Sequence, residues 1–386
     1  MSITSNDSRP LVLVFGGTGH TAVVIINALV KSGAFRVATA VRASSLSKPV
    51  VVEYRRDDVD IREADIDDGV EKLVKVLDGV DVLISTINAE KIFDQRDLFA
   101  AAKQVGVKRV IPCDFGTPGA RGVRHLHDES KPVFRVQKLE IHEYIQSLGL
   151  GYTFIDIGWW MQISLPCSSP SKSPVLSMSR ELYNGGMKKM LVTNLDNVGE
   201  YVARIITDER TLNHSVLIWE DQVTGWDAKE IGAKVSGEGS TLMETIVHVS
   251  ANEILKRAAA AKEEFVQTHA FASRATWSWY EYQYSIHVLG ENCLENAQAL
   301  GYLDFRELYP DVIPDILEEY ARKFYESGDR PGVTAQEYRT VGLSGCSLEG
   351  RSVNSRCVRM SSSEANAGNT SVYKPFGRLW ARREIR

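Results

Sequence analysis

Lys138 is the residue whose placement most invites chemistry. Phe134, Lys138, Ile141, Ile145 and Leu148 recur at intervals of four, three, four and three, so they share one stripe of a helix over about residues 132–148. A charged amine in such a stripe must snorkel to water, find a partner or meet a ligand, and the pattern leaves all three open. His142 follows one helical turn later. A second constellation lies near the N-terminus, where Leu11 to Ala22 reads Leu-Val-Leu-Val-Phe-Gly-Gly-Thr-Gly-His-Thr-Ala. Five apolar residues with the composition of a doubly buried strand run into a glycine turn, and Val23 to Lys31 continues as an apolar helix. The turn reads as Gly17-x-Gly19-x-x-Ala22 or as Gly16-x-x-Gly19-x-x-Ala22. Early glycines permit a tight turn and close approach of a pyrophosphate, and the unpaired amides at a helix start favour an anion. Gly16, Gly17, Thr18, Gly19, His20 and Thr21 are therefore candidate dinucleotide contacts. A bare glycine turn is the plainer alternative, but strand, turn and helix in succession favour the ligand.

Phe35 to Val41 has the character of a second strand, with Arg42 just past its end and Lys48 a few residues on. A ribose with a free 2′-hydroxyl is usually met by an acid near this place; two cations and no acid suit a 2′-phosphate, hence NADPH rather than NADH. A solvated basic loop is the other reading. Val80 to Ile84 is a third apolar strand, followed by Ser85-Thr86-Ile87-Asn88. Arg109 to Pro112 is a short strand that delivers Cys113-Asp114-Phe115-Gly116. Polar residues past the carboxyl ends of parallel strands line the ligand crevice of α/β proteins, which makes Thr86, Asn88, Asp114 and Phe115 candidate cofactor contacts. Tyr152 to Gly158 leads into Trp159, Trp160 and Met161, residues suited either to walling a flat apolar substrate or to plain interface core.

These pieces need a frame to bring them together. Helix patterns at Asp65–Leu77 and Leu98–Val105 alternate with the strands, so residues 10–158 predict an α/β fold with a parallel, doubly wound sheet. Residues 164–174 are rich in Ser and Pro, a loop that serves as a lid or as a surface excursion. From residue 159 to about 340 the pattern is less regular. Helices are expected at Asn194–Thr207, 227–237, 241–264, Asn292–Leu300 and Ile313–Tyr325, a strand at Ser215–Trp219, and Trp277 to His287 is dense in aromatics. This half predicts a smaller substrate-binding portion built onto the first. Beyond residue 341, Ser, Gly, Asn and Arg dominate, with eight Lys or Arg against three Asp or Glu, as in a disordered basic tail.

Composition narrows the function classes. The chain has 386 residues, 44% hydrophobic and 25% charged, and a formal charge of −5 that places an acidic body against the basic tail. An acidic body argues against nucleic acid as partner. No apolar run approaches a membrane span, and the N-terminus has no signal-peptide core. Five cysteines without paired spacing are expected as thiols in a cytoplasmic protein. His125 and His127 flank a leucine without clustered acids or cysteines, so no metal site is expected.

Several stretches together resemble the NmrA-like, or isoflavone-reductase-like, branch of the atypical short-chain dehydrogenase/reductase superfamily, and its fungal members in particular. They are Val14 to Ala22, Lys108 to Gly116, Lys138 with Gly151 to Ile155, Glu291 to Gly301 and Glu307 to Asp311. The resemblance spans roughly residues 10–327. It implies a Rossmann-like domain with an interleaved smaller substrate domain, NADPH as cofactor, Lys138 as the catalytic lysine, and Arg42 and Lys48 at the 2′-phosphate. The chain departs from the family in three places. Ala22 replaces a glycine, Cys113-Asp114 stands for Ser-Glu, and Phe134, four residues before Lys138, removes the Tyr-x-x-x-Lys pair of the wider superfamily.

Two functions fit. One is an NADPH-dependent reductase of a small aromatic or phenolic molecule, with Lys138 as general base or as an ammonium polarising a substrate oxygen. The other is a non-catalytic dinucleotide sensor that binds a protein partner. A lysine set in an apolar stripe favours the enzyme.

Overall fold

The computed structural model describes residues 8–118, 134–173 and 175–328. The basic tail after residue 341 and the His125/His127 loop lie outside the described residues. Strands β1 (Leu11–Phe15), β2 (Arg36–Val41), β3 (Asp60–Glu63), β4 (Val82–Ser85) and β5 (Arg109–Ile111) form a parallel sheet in the order β3-β2-β1-β4-β5. The order reverses between β1 and β4, which opens a crevice at their carboxyl ends. Alternate residues of β1 enter different cores. Val12 and Val14 pack with the helix His20–Ser32, whereas Leu11, Leu13 and Phe15 pack with the helices Val70–Val76, Gln95–Val105 and Phe134–Ser147. A strand covered on both faces has no polar side to keep, which is why it reads as an unbroken apolar run.

After β5 the chain forms β6 (Thr153–Ile157), β7 (Trp159–Trp160), β8 (Glu181–Tyr183), β9 (Lys189–Thr193), β10 (His214–Ile218), β11 (Asp221–Thr224), β12 (Val247–Val249) and β13 (Tyr302–Asp304). Strands β6, β10 and β13 are mutually parallel and lie in the order β13-β10-β6. β6 is laced to β5 and the turn after it: Val110 N donates to Gly151 O at 2.9 Å, and Ile157 N donates to Gly116 O at 2.8 Å. Thus residues 214–218 and 302–304, distant in sequence, return to the dinucleotide-binding half. The small sheets β11-β9-β7 and β12-β8, with the helices Gly225–Ser236, Ala251–Thr268 and Phe271–Tyr284, make up most of the rest.

The structure differs from the sequence expectation in places with clear local causes. The stretch after Lys48 contains a helix, Pro49–Arg56, started by a proline at its first position, where the missing N–H costs nothing. The single helix expected over 241–264 is broken. Val247-His248-Val249 pairs with β8, and the following helix begins at Ser250, whose side chain caps Glu253 N at 3.2 Å. The Ser/Pro stretch is tied down at two points: Ser169 N donates to Glu238 Oε1 at 2.7 Å, and Pro166 O accepts from Tyr325 Oη at 2.6 Å. No helix among the described residues is long and apolar enough to cross a membrane.

Candidate active site

The glycine turn is shaped from beneath. Gly16 has φ +93°, and Gly17 lies so close to β2 that a Cβ there would stand 1.8 Å from Thr39 Oγ1. Thr39 is locked in place by donating to Val14 O at 2.9 Å. Tyr54, from the Pro49–Arg56 helix, donates to Gly17 O at 2.9 Å. Gly19 is different: a Cβ there would meet nothing within 4 Å, and it precedes the helix His20–Ser32 with no side-chain cap. An uncapped helix start facing open space is what a bound pyrophosphate requires, so these residues fit the dinucleotide. Lys48 Nζ donates to Thr18 Oγ1 at 3.2 Å, which brings one cation onto the loop. Arg42 is exposed at the end of β2 and forms no ion pair among the described residues.

The turn after β5 organises the opposite side. Phe115 has φ +44°, tied down by donating its N–H to Ile155 O at 3.0 Å. Asp114, 3% exposed, receives two side chains from one helix. Lys138 Nζ donates to its backbone carbonyl, and His142 Nε2 lies 2.6 Å from its Oδ2. The His142 ring is stacked on Phe154, centroids 3.7 Å apart. On the same helix Ile141 and Ile145 are fully buried, while Lys138 is half-buried. The apolar stripe therefore continues into the core on one side and ends in an amine at the site on the other. Cys113 Sγ contacts Ile87 O at 3.0 Å, and burial pushes its thiol up to about 11, against the pull of the nearby Lys138 ammonium. At neutral pH it is a thiol and a poor nucleophile.

Between these two sides lies a cavity of about 170 Å³, partly open to solvent. Of the residues singled out in the sequence, Gly19, His20, Thr21, Thr86, Asp114, Phe115, Lys138, Trp159 and Trp160 line it. Gly16, Gly17 and Thr18 support the loop from outside the cavity wall. Asn88 is exposed beyond β4 and does not reach the cavity. Met161 is the clear correction. It opens a short helix, is fully buried in the core and does not line the cavity, because the chain turns inward directly after β7.

The remaining wall comes from residues that sequence reasoning had not placed. Ser278, Trp279 and Tyr282 of the helix Phe271–Tyr284 line the cavity, with Trp159 and Trp279 5.3 Å apart and Trp159 and Tyr282 6.1 Å apart between ring centroids. Tyr282 Oη and Lys138 Nζ lie 3.2 and 3.6 Å from the point where a Cβ on Gly116 would stand. The aromatic density of Trp277–His287 was the only sequence signal for this wall. Among the described residues no group of His, Cys, Asp or Glu could hold a metal ion.

A topological reversal, an uncapped glycine turn and an adjoining aromatic cavity define a Rossmann-like protein. The NmrA-like family model matches residues 8–277, and the chain belongs to that family. Its relatives include Asnovolin J 5',6'-dehydrogenase nvfM of Aspergillus novofumigatus, 29% identical over 81% of this chain and 94% of that protein. Phenylcoumaran benzylic ether reductase Betv6 of Betula pendula is 28% identical over 81% of this chain and 98% of its own. Among solved structures, AtPrR2 with NADP+ and (+)pinoresinol aligns with a TM-score of 0.65 at 22% identity, over 82% of this chain and 99% of that one.

Proposed function

We propose that the protein is an NADPH-dependent oxidoreductase of the isoflavone-reductase-like type, acting on a small aromatic or phenolic molecule with Lys138 as its proton-handling residue. The observation that carries this reading is the position of Lys138 Nζ, on the wall of an aromatic cavity that begins at the glycine turn. The relatives named as reductases and a dehydrogenase support the reaction class, and the NADP+ complex of AtPrR2 supports the cofactor.

Gly17 to Thr21 would hold the pyrophosphate, Lys48 and Arg42 the 2′-phosphate, and Thr86, Asp114 and Phe115 the floor beside the nicotinamide. When bound, NADPH supplies the hydride. The chain's own work is orientation and proton control. Asp114 holds Lys138 through its carbonyl, so Nζ has one donor position engaged and others directed to ligand or solvent. A protonated Nζ polarises a substrate oxygen, and a neutral one accepts a phenolic proton. Trp159, Trp160 and Trp279 give a flat substrate apolar faces and keep water from them. Tyr282 Oη, beside Gly116 on the same side as Lys138 Nζ, is a second proton-bearing group in a protein that lacks the Tyr-x-x-x-Lys pair.

The test is substrate-dependent NADPH oxidation across aromatic ketones, enones and phenolic ethers. Turnover of one class, lost in Lys138→Met, supports the reading. Tight NADPH binding with no turnover of any class moves the weight to a cofactor sensor with a protein partner.

A further inference from the structure

Behind Trp159 and Trp279 lies a second, smaller chamber that shares both rings and Ile163 with the first. It differs from the first in its buried polar groups. Lys229 is 5% exposed, donates to Ser179 O at 2.6 Å and reaches Ser164 O only at 3.5 Å. It forms no ion pair among the described residues. Glu181, the nearest acid on this wall, is held by Arg257 at 2.7 Å and by Tyr183 Oη at 2.6 Å. Gln283, 1% exposed, has an Nε2 with no hydrogen-bond partner, and buried His287 has an Nδ1 with none. Burial holds His287 neutral, down to about 3, and lowers Lys229 to about 8, so Lys229 still carries its charge at neutral pH.

A buried ammonium hydrogen-bonded only to backbone carbonyls, with the Glu181 carboxylate acting on it but bonded elsewhere, and an unpaired amide NH₂ are costly to maintain unless something accepts from them. The chamber has room for only a few heavy atoms. Trp159, Ile163 and Trp279 line both, so the chamber adjoins the aromatic cavity across these side chains. Trp279 is pinned at this boundary by donating its Nε1–H to Tyr183 Oη at 3.0 Å, so the wall has a set orientation. We propose that this inner chamber is a specificity subsite, in which Lys229 and Gln283 receive a carboxylate or similar anionic oxygen group at the far end of the aromatic substrate. The assignment rests on the aromatic-substrate reading above. It restricts that reading to molecules that carry such a group beyond the rings.

The experiment uses the full chain loaded with NADPH and two matched probes, 4-phenylbenzoate and 4-methylbiphenyl, measured by equilibrium dialysis. The carboxylate is expected to bind at least about tenfold more tightly. Gln283→Leu and Lys229→Met should each erase most of that preference while leaving 4-methylbiphenyl binding unchanged. Gln283→Leu decides alone if Lys229→Met does not fold. Equal binding of the two probes overturns the subsite, as does a preference that survives in the folded variants. The chamber then holds structural water, and any preference belongs to Lys138. If neither probe binds, the aromatic cavity reading fails and the subsite fails with it.

Discussion

His142 Nε2 stands 2.6 Å from Asp114 Oδ2, while Lys138, one turn earlier on the same helix, donates to the carbonyl of the same Asp114. One residue at the carboxyl end of β5 thus indexes a whole helix against the site. The carboxylate grips the helix through His142, and the carbonyl aims the amine. His142 is a positioning residue, stacked on Phe154 and absent from the cavity wall.

Replacing His142 by Phe keeps a ring on Phe154 and deletes the bond to Asp114. We expect turnover to fall by roughly tenfold with KM for NADPH unchanged, since a misplaced proton donor loses rate before it loses binding. Steady-state kinetics on the variant checks this, with circular dichroism showing the fold intact. A KM effect without a kcat effect would point to a purely structural histidine.

Lys138→Met retains an unbranched stem on the helix and removes the charge. Turnover should drop by about 10²-fold or more, the usual scale for losing a general acid–base, with NADPH affinity nearly intact. Stopped-flow hydride transfer and cofactor titration on one preparation separate this from a ribose-binding role, which would weaken affinity as well. Unchanged turnover would refute the catalytic role.

Arg42 is exposed beside the loop that Lys48 joins at Thr18. Unmutated protein should prefer NADPH to NADH, and Arg42→Ala should remove most of the difference, about 1.5–3 kcal/mol. Calorimetric titration of both cofactors measures it. Equal affinities before mutation would sink the 2′-phosphate assignment.

Gly17→Ala drives a Cβ into Thr39, whose hydroxyl is committed to Val14 O. Overpacking of this kind costs about 1–3 kcal/mol. Adding Thr39→Ala should recover part of that loss, because it removes the atom at 1.8 Å. Urea midpoints of the single and double variants report the coupling.

His287 gives a pH dependence with a definite sign. Burial, helped by the Lys229 ammonium, lowers it from 6.5 to about 3 in the folded chain. Above pH 6.5 it is neutral whether folded or not. As pH falls below that value the unfolded chain takes up a proton that the folded one refuses, so stability declines toward pH 3. His287→Phe should lose roughly 2–3 kcal/mol less than the parent between pH 7 and 4.5. Denaturant melts at the two pH values test it, and identical pH profiles would contradict it.

Much of the dinucleotide half is legible in residue order alone because its signals are local. The β1 run, the glycine turn and the helix after it are contiguous, and backbone sterics determine their shape. Lys138 stood out for a related reason, since helical periodicity is also local. Weak or short elements escaped this reading. β3 is Asp-Ile-Arg-Glu, half exposed and without an apolar run, and β13 has three residues.

What residue order determined, then, is the glycine turn, the parallel α/β frame around it and a lysine in an apolar stripe. Helix and strand periods and turn sterics act within a few residues, so they can be read along the chain. Tertiary structure alone decided that Asp114 holds both Lys138 and His142, that Trp279 and Tyr282 complete the cavity, and that Met161 turns away from it. It also decided that Lys229, Gln283 and His287 share one chamber. Each of these depends on side chains meeting across about 20 to more than 160 residues of intervening sequence, through β10 and β13 returning beside β6 and the Phe271–Tyr284 helix closing over the strand ends. Close packing of distant segments sets those meetings, and no period in the sequence encodes them.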